Sequence, residues 1–181
     1  MSVVLLSELR VLDLCDGDAD AVTRLLADLG ADVLKVEPPG GSAGRSRAPR
    51  VAGASVTFAL NNANKRSCVL DPVDDRDRVR FEDLAASADI VVDSGAPGRL
   101  EAFGMTCVEL WRRYPHLVAV SVTDFGIDGP RVSWSATDPV FYALSTALSR
   151  SGPTAGRPVL PPEGIASSAA ATQAAWAILV A

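Results

Sequence analysis

Two short aliphatic runs, residues 9–15 (LRVLDLC) and 31–37 (ADVLKVE), flank one amphipathic segment, and this alternation limits the fold more than any other feature of the chain. Such runs, short and rich in Val and Leu, read as strands covered on both faces, as in a parallel sheet. From Ala21, AVTRLLADLG places Val22, Leu25, Leu26 and Leu29 on one helical face. Asp16 or Asp18 can cap that helix, and Gly30 supplies the positive φ of a helix stop. Parallel strands need a crossover connection, which is right-handed almost without exception. The first forty residues therefore predict a β-α-β unit.

The pattern continues to the end of the sequence. Residues 66–71 (RSCVLD), 89–94 (DIVVDS) and 116–126 (HLVAVSVTDFG) are expected strands. Residues 74–88 form an expected amphipathic helix with Val79, Phe81 and Leu84 inward. PGRLEAFG and TCVELWRRYP read as two short helices, the second stopped at Pro115, and VFYALSTALSR as a longer one. PPGGSAGRSRAPR is too rich in Pro and Gly for regular structure. IASSAAATQAAWAILVA is an Ala-rich helix with Ala175, Ile178 and Leu179 as its packing face. Strands alternating with helices predict an α/β fold: an open, mostly parallel, doubly wound sheet with helices on both faces, ending in that long Ala-rich helix.

Composition narrows the partners. The 181 residues carry a net charge of -5, which argues against nucleic acid, whose binding leans on Lys and Arg excess. Cys15, Cys68 and Cys107 lie far apart without a C-x-x-C pair, so neither a disulfide framework nor a zinc site is expected, and a reducing compartment fits. The opening MSVVLLSELR lacks the charged leader and cleavage site of a signal peptide, and no apolar run approaches the ~18 residues of a membrane helix. A cytoplasmic protein without a membrane partner is the expectation.

In open α/β sheets, ligands sit beyond the carboxyl ends of the strands. Three loops meet that rule: 16–18, 38–50 and 94–98. Glu37, at the end of the second strand, is where a dinucleotide fold binds ribose hydroxyls. The first turn excludes that cofactor. DLCDGDADAV has only Gly17 where the fingerprint needs three glycines, and Asp16, Asp18 and Asp20 would repel a pyrophosphate.

RVLDL, LLADLGADVLKVEPPGG, NNANKRSCVLD, ADIVVDSGAPGRLEAFG, LVAVSVTDFGIDGP and ATDPVFYAL, in that order, resemble the family III coenzyme A transferases of the CaiB/BaiF type, which include formyl-CoA transferase and carnitine CoA-transferase. The resemblance runs from about Leu9 to Ala181. It implies a Rossmann-like large domain that binds CoA or acyl-CoA as substrate, with no permanently bound cofactor and no metal. It also implies that residues 1–181 are one N-terminal large-domain portion, that the family's small second domain lies outside this sequence, and that the chain works as an interlocked homodimer or with a partner subunit.

The chemistry the resemblance implies uses an aspartate, which forms a mixed anhydride with the acyl group and then carries CoA as a thioester. Counting along the last helix, that position falls on Ser167. An acylated serine is an ordinary ester, and its oxygen cannot be exchanged for CoA sulfur. Serine activation also needs a base, and the one histidine, His116, begins a strand elsewhere. Ser167 and Ser168 read equally as helix N-caps, and Glu163 is an alternative carboxylate. The implied CoA-contacting positions are Gly17, Asp18, Pro38, Leu70, Asp71, Ser94, Gly95, Ala96 and Asp138. Asp138 lies where relatives place an acid near the thioester. Thr137 precedes it in place of the histidine of related racemases, so racemase activity is not expected.

Overall fold

Five parallel strands form one open sheet in the computed structural model, which describes residues 5–95 and 97–181. They are β1 (Arg10–Leu14), β2 (Asp32–Glu37), β5 (Arg66–Val69), β6 (Ile90–Ser94) and β7 (Val118–Val122), with β3 (Arg50–Val51) and β4 (Ala54–Ser55) forming a separate antiparallel hairpin. The sheet order is β5-β2-β1-β6-β7. The chain thus winds outward from β1 to β5, then returns to the other side of β1 for β6 and β7. The reversal between β1 and β6 is a topological switch point, where such sheets bind ligands.

Both faces of the sheet are covered, because the period of a strand sends neighbouring residues to opposite sides. On one side Val11, Val33, Ile90 and Val92 meet Val22 and Leu26 of α1 (Asp20–Asp28) and Ala171, Ala175 and Ile178 of α7 (Ile165–Val180). On the other, Leu12, Leu14, Val36 and Val91 meet Phe81 and Ala85 of α3 (Asp75–Ala86), Leu100 of α4 (Arg99–Ala102) and Leu110 of α5 (Cys107–Arg113). Phe81 stacks on Phe103 at 4.3 Å. Each fully buried Leu or Val contributes roughly 1.5–3 kcal/mol. The α/β fold with helices on both faces and a long final helix is as the sequence predicts.

The helical stripes differ in detail. In α1 the buried residues are Asp20, Val22, Thr23, Leu26 and Ala27, while Leu29 is exposed. The helix is rotated so that Asp20 and Thr23 turn inward to meet charged strand residues. Gly30, at φ 103°, ends it as expected. In α3 Val79 is exposed, not buried, because it lies two residues, or about 200°, from Phe81. In α7 Leu179 is exposed and Ala171 replaces it on the packing face. The expected helix over residues 140–150 is instead α6 (Asp138–Leu144), broken at Thr146 (φ 65°) before a 3-10 turn at Ala147–Arg150. Sequence reading also missed the short α2 (Val56–Asn61), capped by the Ser55 hydroxyl accepting from the Phe58 N–H. PPGGSAGRSRAPR contains a 3-10 turn at Ala43–Ser46 and leads into the β3–β4 hairpin.

Candidate functional site at the carboxyl edge of the sheet

The tip of β2 carries Lys35 and Glu37, and both are committed to the protein itself. Strand alternation sends Asp13 and Lys35 to the α1 side, along with Val11 and Val33. There Lys35 Nζ meets Asp20 Oδ1 at 2.6 Å and the Cys15 carbonyl at 2.7 Å. Lys65 Nζ reaches Asp13 Oδ2 at 2.9 Å and the Asn62 amide oxygen at 2.9 Å, and Thr23 donates to Asp13 across 2.8 Å. Asn62 closes the network on Asp20 at 2.8 Å. Two carboxylates and two ammonium groups therefore balance below the first turn, all with side chains 1% exposed or less. Burial would lower the Lys35 pKa, but Asp13 and Asp20 outweigh it and hold the lysine charged.

Glu37 takes two hydrogen bonds from Arg45, at 2.6 and 2.7 Å, and one from the Ser42 N–H at 3.0 Å. The Arg45 contact, with the backbone bond, pulls its carboxyl down to about 2. Arg45 also lies over Phe58 at 4.4 Å. The residue that a dinucleotide fold uses for ribose is here the anchor of the 38–50 loop. Arg66 pairs with Asp32 at the amino end of β2, at the opposite edge of the sheet from the 16–18, 38–50 and 94–98 loops.

Asp16 draws the three ligand-facing loops together. It accepts from the Arg99 guanidinium at 2.9 Å and from the N–H groups of Gly17, Ala43 and Gly44 at 2.9, 3.3 and 3.3 Å. Its own N–H donates to the Ser94 hydroxyl at 3.0 Å. Asp16 thus caps the 3-10 turn Gly17–Ala19, whereas α1 starts from Ala19 without a side-chain cap. Buried Asp93 accepts from the N–H groups of Ser94, Arg99 and Leu100 and so starts α4. Gly98 lies against it so closely that an added Cβ would fall 2.0 Å from Asp93 Oδ2.

At the start of α7, Ser167 Oγ donates to Asp138 Oδ1 at 2.7 Å and lies 3.5 Å from Asp18 Oδ2. Asp138 Oδ2 accepts from the N–H groups of Gly164 at 2.7 Å and Ala166 at 3.2 Å. Desolvation pushes the Asp138 carboxyl up, but the Ser167 hydroxyl and these backbone donors outweigh it, so its pKa is lowered. Asp18 is held in turn by Arg47 at 2.5 Å. The N-cap of α7 is Gly164, without a side-chain bond, so neither Ser167 nor Ser168 caps it. Asp138 does that work from the first residue of α6.

The sequence-derived positions therefore divide. Asp18, Asp138 and Ser167 converge, with Gly17 beside them. Ser94, Gly95 and Pro38 border the carboxyl edge, Ser94 as the last residue of β6 and the other two in the loops after β6 and β2. Leu70 is 1% exposed, with its side chain in the core, and Asp71 accepts from the Val73 N–H as a turn residue. Ala96 lies outside the described residues. His116 stacks edge-on against Tyr114 before β7, at the amino edge of the sheet, so it cannot serve Ser167 as a base. Burial raises the thiol pKa at Cys15, Cys68 and Cys107, which are unpaired and poor nucleophiles. Sequence reading missed the Asp16 hub, whose signal was an acid facing the mouth of the first turn. Among the described residues no group of His, Cys, Asp or Glu is placed to hold a metal ion, and no helix is long and apolar enough to cross a membrane.

A family model described as CoA-transferase family III matches residues 6–181. The probable CoA-transferase Rv1866 of Mycobacterium tuberculosis is 69% identical over 175 residues, covering 94% of this chain and 22% of its own length. Acetyl-CoA:oxalate CoA-transferase of Acetobacter aceti is 34% identical over 75% of this chain and 35% of its own. The chain thus spans well under half the length of these relatives. A crystal structure of a CAIB/BAIF family protein from Brucella suis superposes with a TM-score of 0.85 at 28% identity, over 96% of this chain and 48% of that one.

Proposed function

Because the chain belongs to CoA-transferase family III, we propose that it takes part in moving CoA between carboxylic acids, with an acyl-CoA and a free acid as substrates. The curated relatives support this class of reaction, one of them by a name that pairs acetyl-CoA with oxalate. In this reading residues 1–181 form the large-domain portion of the enzyme, and CoA lies across the loops bordered by Gly17, Asp18, Pro38, Ser94 and Gly95, toward Asp138. A second copy or a partner subunit completes the site. Support comes from apolar side chains left exposed around α6 and α7, among them Trp134, Leu144, Ile165 and Trp176.

The observation that carries the reading is the family match over residues 6–181, and the state of Ser167 decides which residue can act in it. The Ser167 hydroxyl is spent on Asp138, whose lowered pKa makes it a poor base. An alcohol acylated here gives an ordinary ester, whose oxygen cannot be exchanged for CoA sulfur. Position 167 is therefore degenerate, and the carboxylate the reaction demands comes from another residue. The state of Ser167 favours one other reading: a CoA-transferase-like scaffold or CoA-binding module without turnover.

Calorimetry with CoA and acetyl-CoA, paired with an assay of CoA exchange between acids, separates the two. The experiment uses the chain together with any subunit that co-purifies from its host. Saturable micromolar binding with exchange supports the transferase. Binding without exchange supports the module, and no binding overturns both the transferase and the CoA-binding module and leaves only a scaffold.

A further inference from the structure

We infer that Asp138 is the carboxylate through which CoA passes, in place of a group at position 167. The inference rests on the CoA-transfer reading above and names its nucleophile.

The two oxygens of Asp138 stand in different surroundings. Oδ2 is met by two backbone donors, the N–H groups of Gly164 and Ala166. Oδ1 is met by one side chain, the hydroxyl of Ser167. That asymmetry suits a carboxylate that reacts at one oxygen while the other carries developing charge. Two convergent N–H groups at a helix start are the usual means of holding an oxyanion. The site is half-buried and opens beside Asp18, next to the first turn.

A separate feature points to a ligand. Tyr142 lies four residues after Asp138, one turn further along the same side of α6. Its hydroxyl is buried and has no hydrogen-bond partner among the described residues. A buried polar group left unpaired costs about 1–3 kcal/mol, so it calls for a partner. The carbonyl oxygen of a bound acyl group is an acceptor of the right kind.

The chemistry balances without a redox partner. Oδ1 attacks the thioester carbonyl, the carbon–sulfur bond breaks, and CoA leaves as the thiolate. The thiolate attacks Cγ of Asp138, where Oδ2 becomes the oxyanion and the two N–H groups stabilise it. The bond from Cγ to the acyl-bearing oxygen breaks, the donor acid leaves with that oxygen, and Asp138 holds CoA as a thioester. The acceptor carboxylate then attacks Cγ and expels the thiolate, which attacks the acceptor's acyl carbon. Asp138 is restored as a carboxylate, carrying one oxygen from the acceptor acid. No net proton or electron is consumed.

That last step provides the test. The protein, with any co-purifying subunit, is cycled with acyl-CoA and an acceptor acid labelled with oxygen-18, then digested and mapped by mass spectrometry. A single heavy oxygen on Asp138 is expected, and it requires no variant. Asp138→Asn should lower exchange at least about a thousandfold while CoA binding by calorimetry persists. Exchange that runs with the label on Glu163, on Asp18 or on no residue of this chain overturns the inference and leaves the CoA-transfer reading standing. Absence of both CoA binding and exchange overturns that reading, and the inference with it.

Discussion

The Ser167 hydroxyl donates to Asp138 Oδ1 across 2.7 Å, tying the first turn of α7 to the first residue of α6. Asp138 also satisfies two N–H groups at the start of α7, so one carboxylate serves as the cap of a helix that is distant in sequence. Asp138→Ala should destabilise the fold by about 1 kcal/mol, the usual worth of a helix cap. The Asp138 pKa is lowered in the folded state, so its contribution is present above the unfolded carboxylate pKa and is lost as pH falls through the folded one. Urea denaturation at pH 7 should separate the variant from the wild type, and denaturation near pH 3 should bring them together.

Lys35 answers for the buried network. Removing one partner of a fully buried pair leaves an uncompensated charge, and Lys35→Met leaves Asp13 and Asp20 facing each other with only Lys65 between them. A loss of about 3–5 kcal/mol is expected in chemical denaturation. Unchanged stability would mean that the network is wetter than the geometry indicates.

Glu37 and Arg45 give the fold a second acid-sensitive contact. The Glu37 carboxyl is lowered to about 2, chiefly by Arg45. Its stabilisation is therefore full above the unfolded glutamate pKa and falls away as pH drops from about 5 toward 2. Half of the Arg45 side chain is exposed, and solvent reduces the contribution to roughly 1–2 kcal/mol. Arg45→Ala should cost that much at pH 7 and much less at pH 3, as read by thermal melts.

Gly98 tests the loop after β6. A methyl group there would collide with the Asp93 carboxylate that starts α4. Gly98→Ala should cost about 2 kcal/mol or more, and Gly98→Ser no less, because the clash begins at Cβ. Neighbouring Gly95 has no such contact with Asp93.

The β-α-β unit and the two-sided sheet were legible because aliphatic runs and helical stripes carry a period that single residues cannot hide. The orientation of α1 was not, because Thr23 and Asp20 turn inward only once Asp13 and Lys35 are placed beside them. A lysine on a strand reads as a ligand-binding group until its partners, Asp20 of α1 and Asp13 of β1, are known. The meeting of Ser167 with Asp138 joins positions 29 residues apart; the family resemblance singled out each of them, but neither it nor any spacing in the chain paired the two. The Asp16 hub had a local signal in its acid at the first turn, but its partner Arg99, 83 residues away, did not.

Tyr142 separates folding from ligand use. Its hydroxyl is buried without a partner, so Tyr142→Phe should raise the stability of the free protein by about 1 kcal/mol in thermal or urea unfolding. The same variant should weaken CoA exchange. A variant that is both less stable and fully active would remove the hydroxyl from the account.

The proposed route takes CoA through a carboxylate at Asp138 and not through the group at position 167. Exchange rates of Ser167→Ala and Asp138→Asn, measured side by side with the wild-type protein and any co-purifying subunit, test it most directly. Ser167→Ala should keep turnover within about ten- to a hundredfold of wild type, the cost of one hydrogen bond to a charged group. Asp138→Asn should abolish it. Full turnover in the asparagine variant, or complete loss in the alanine variant alone, would contradict the account.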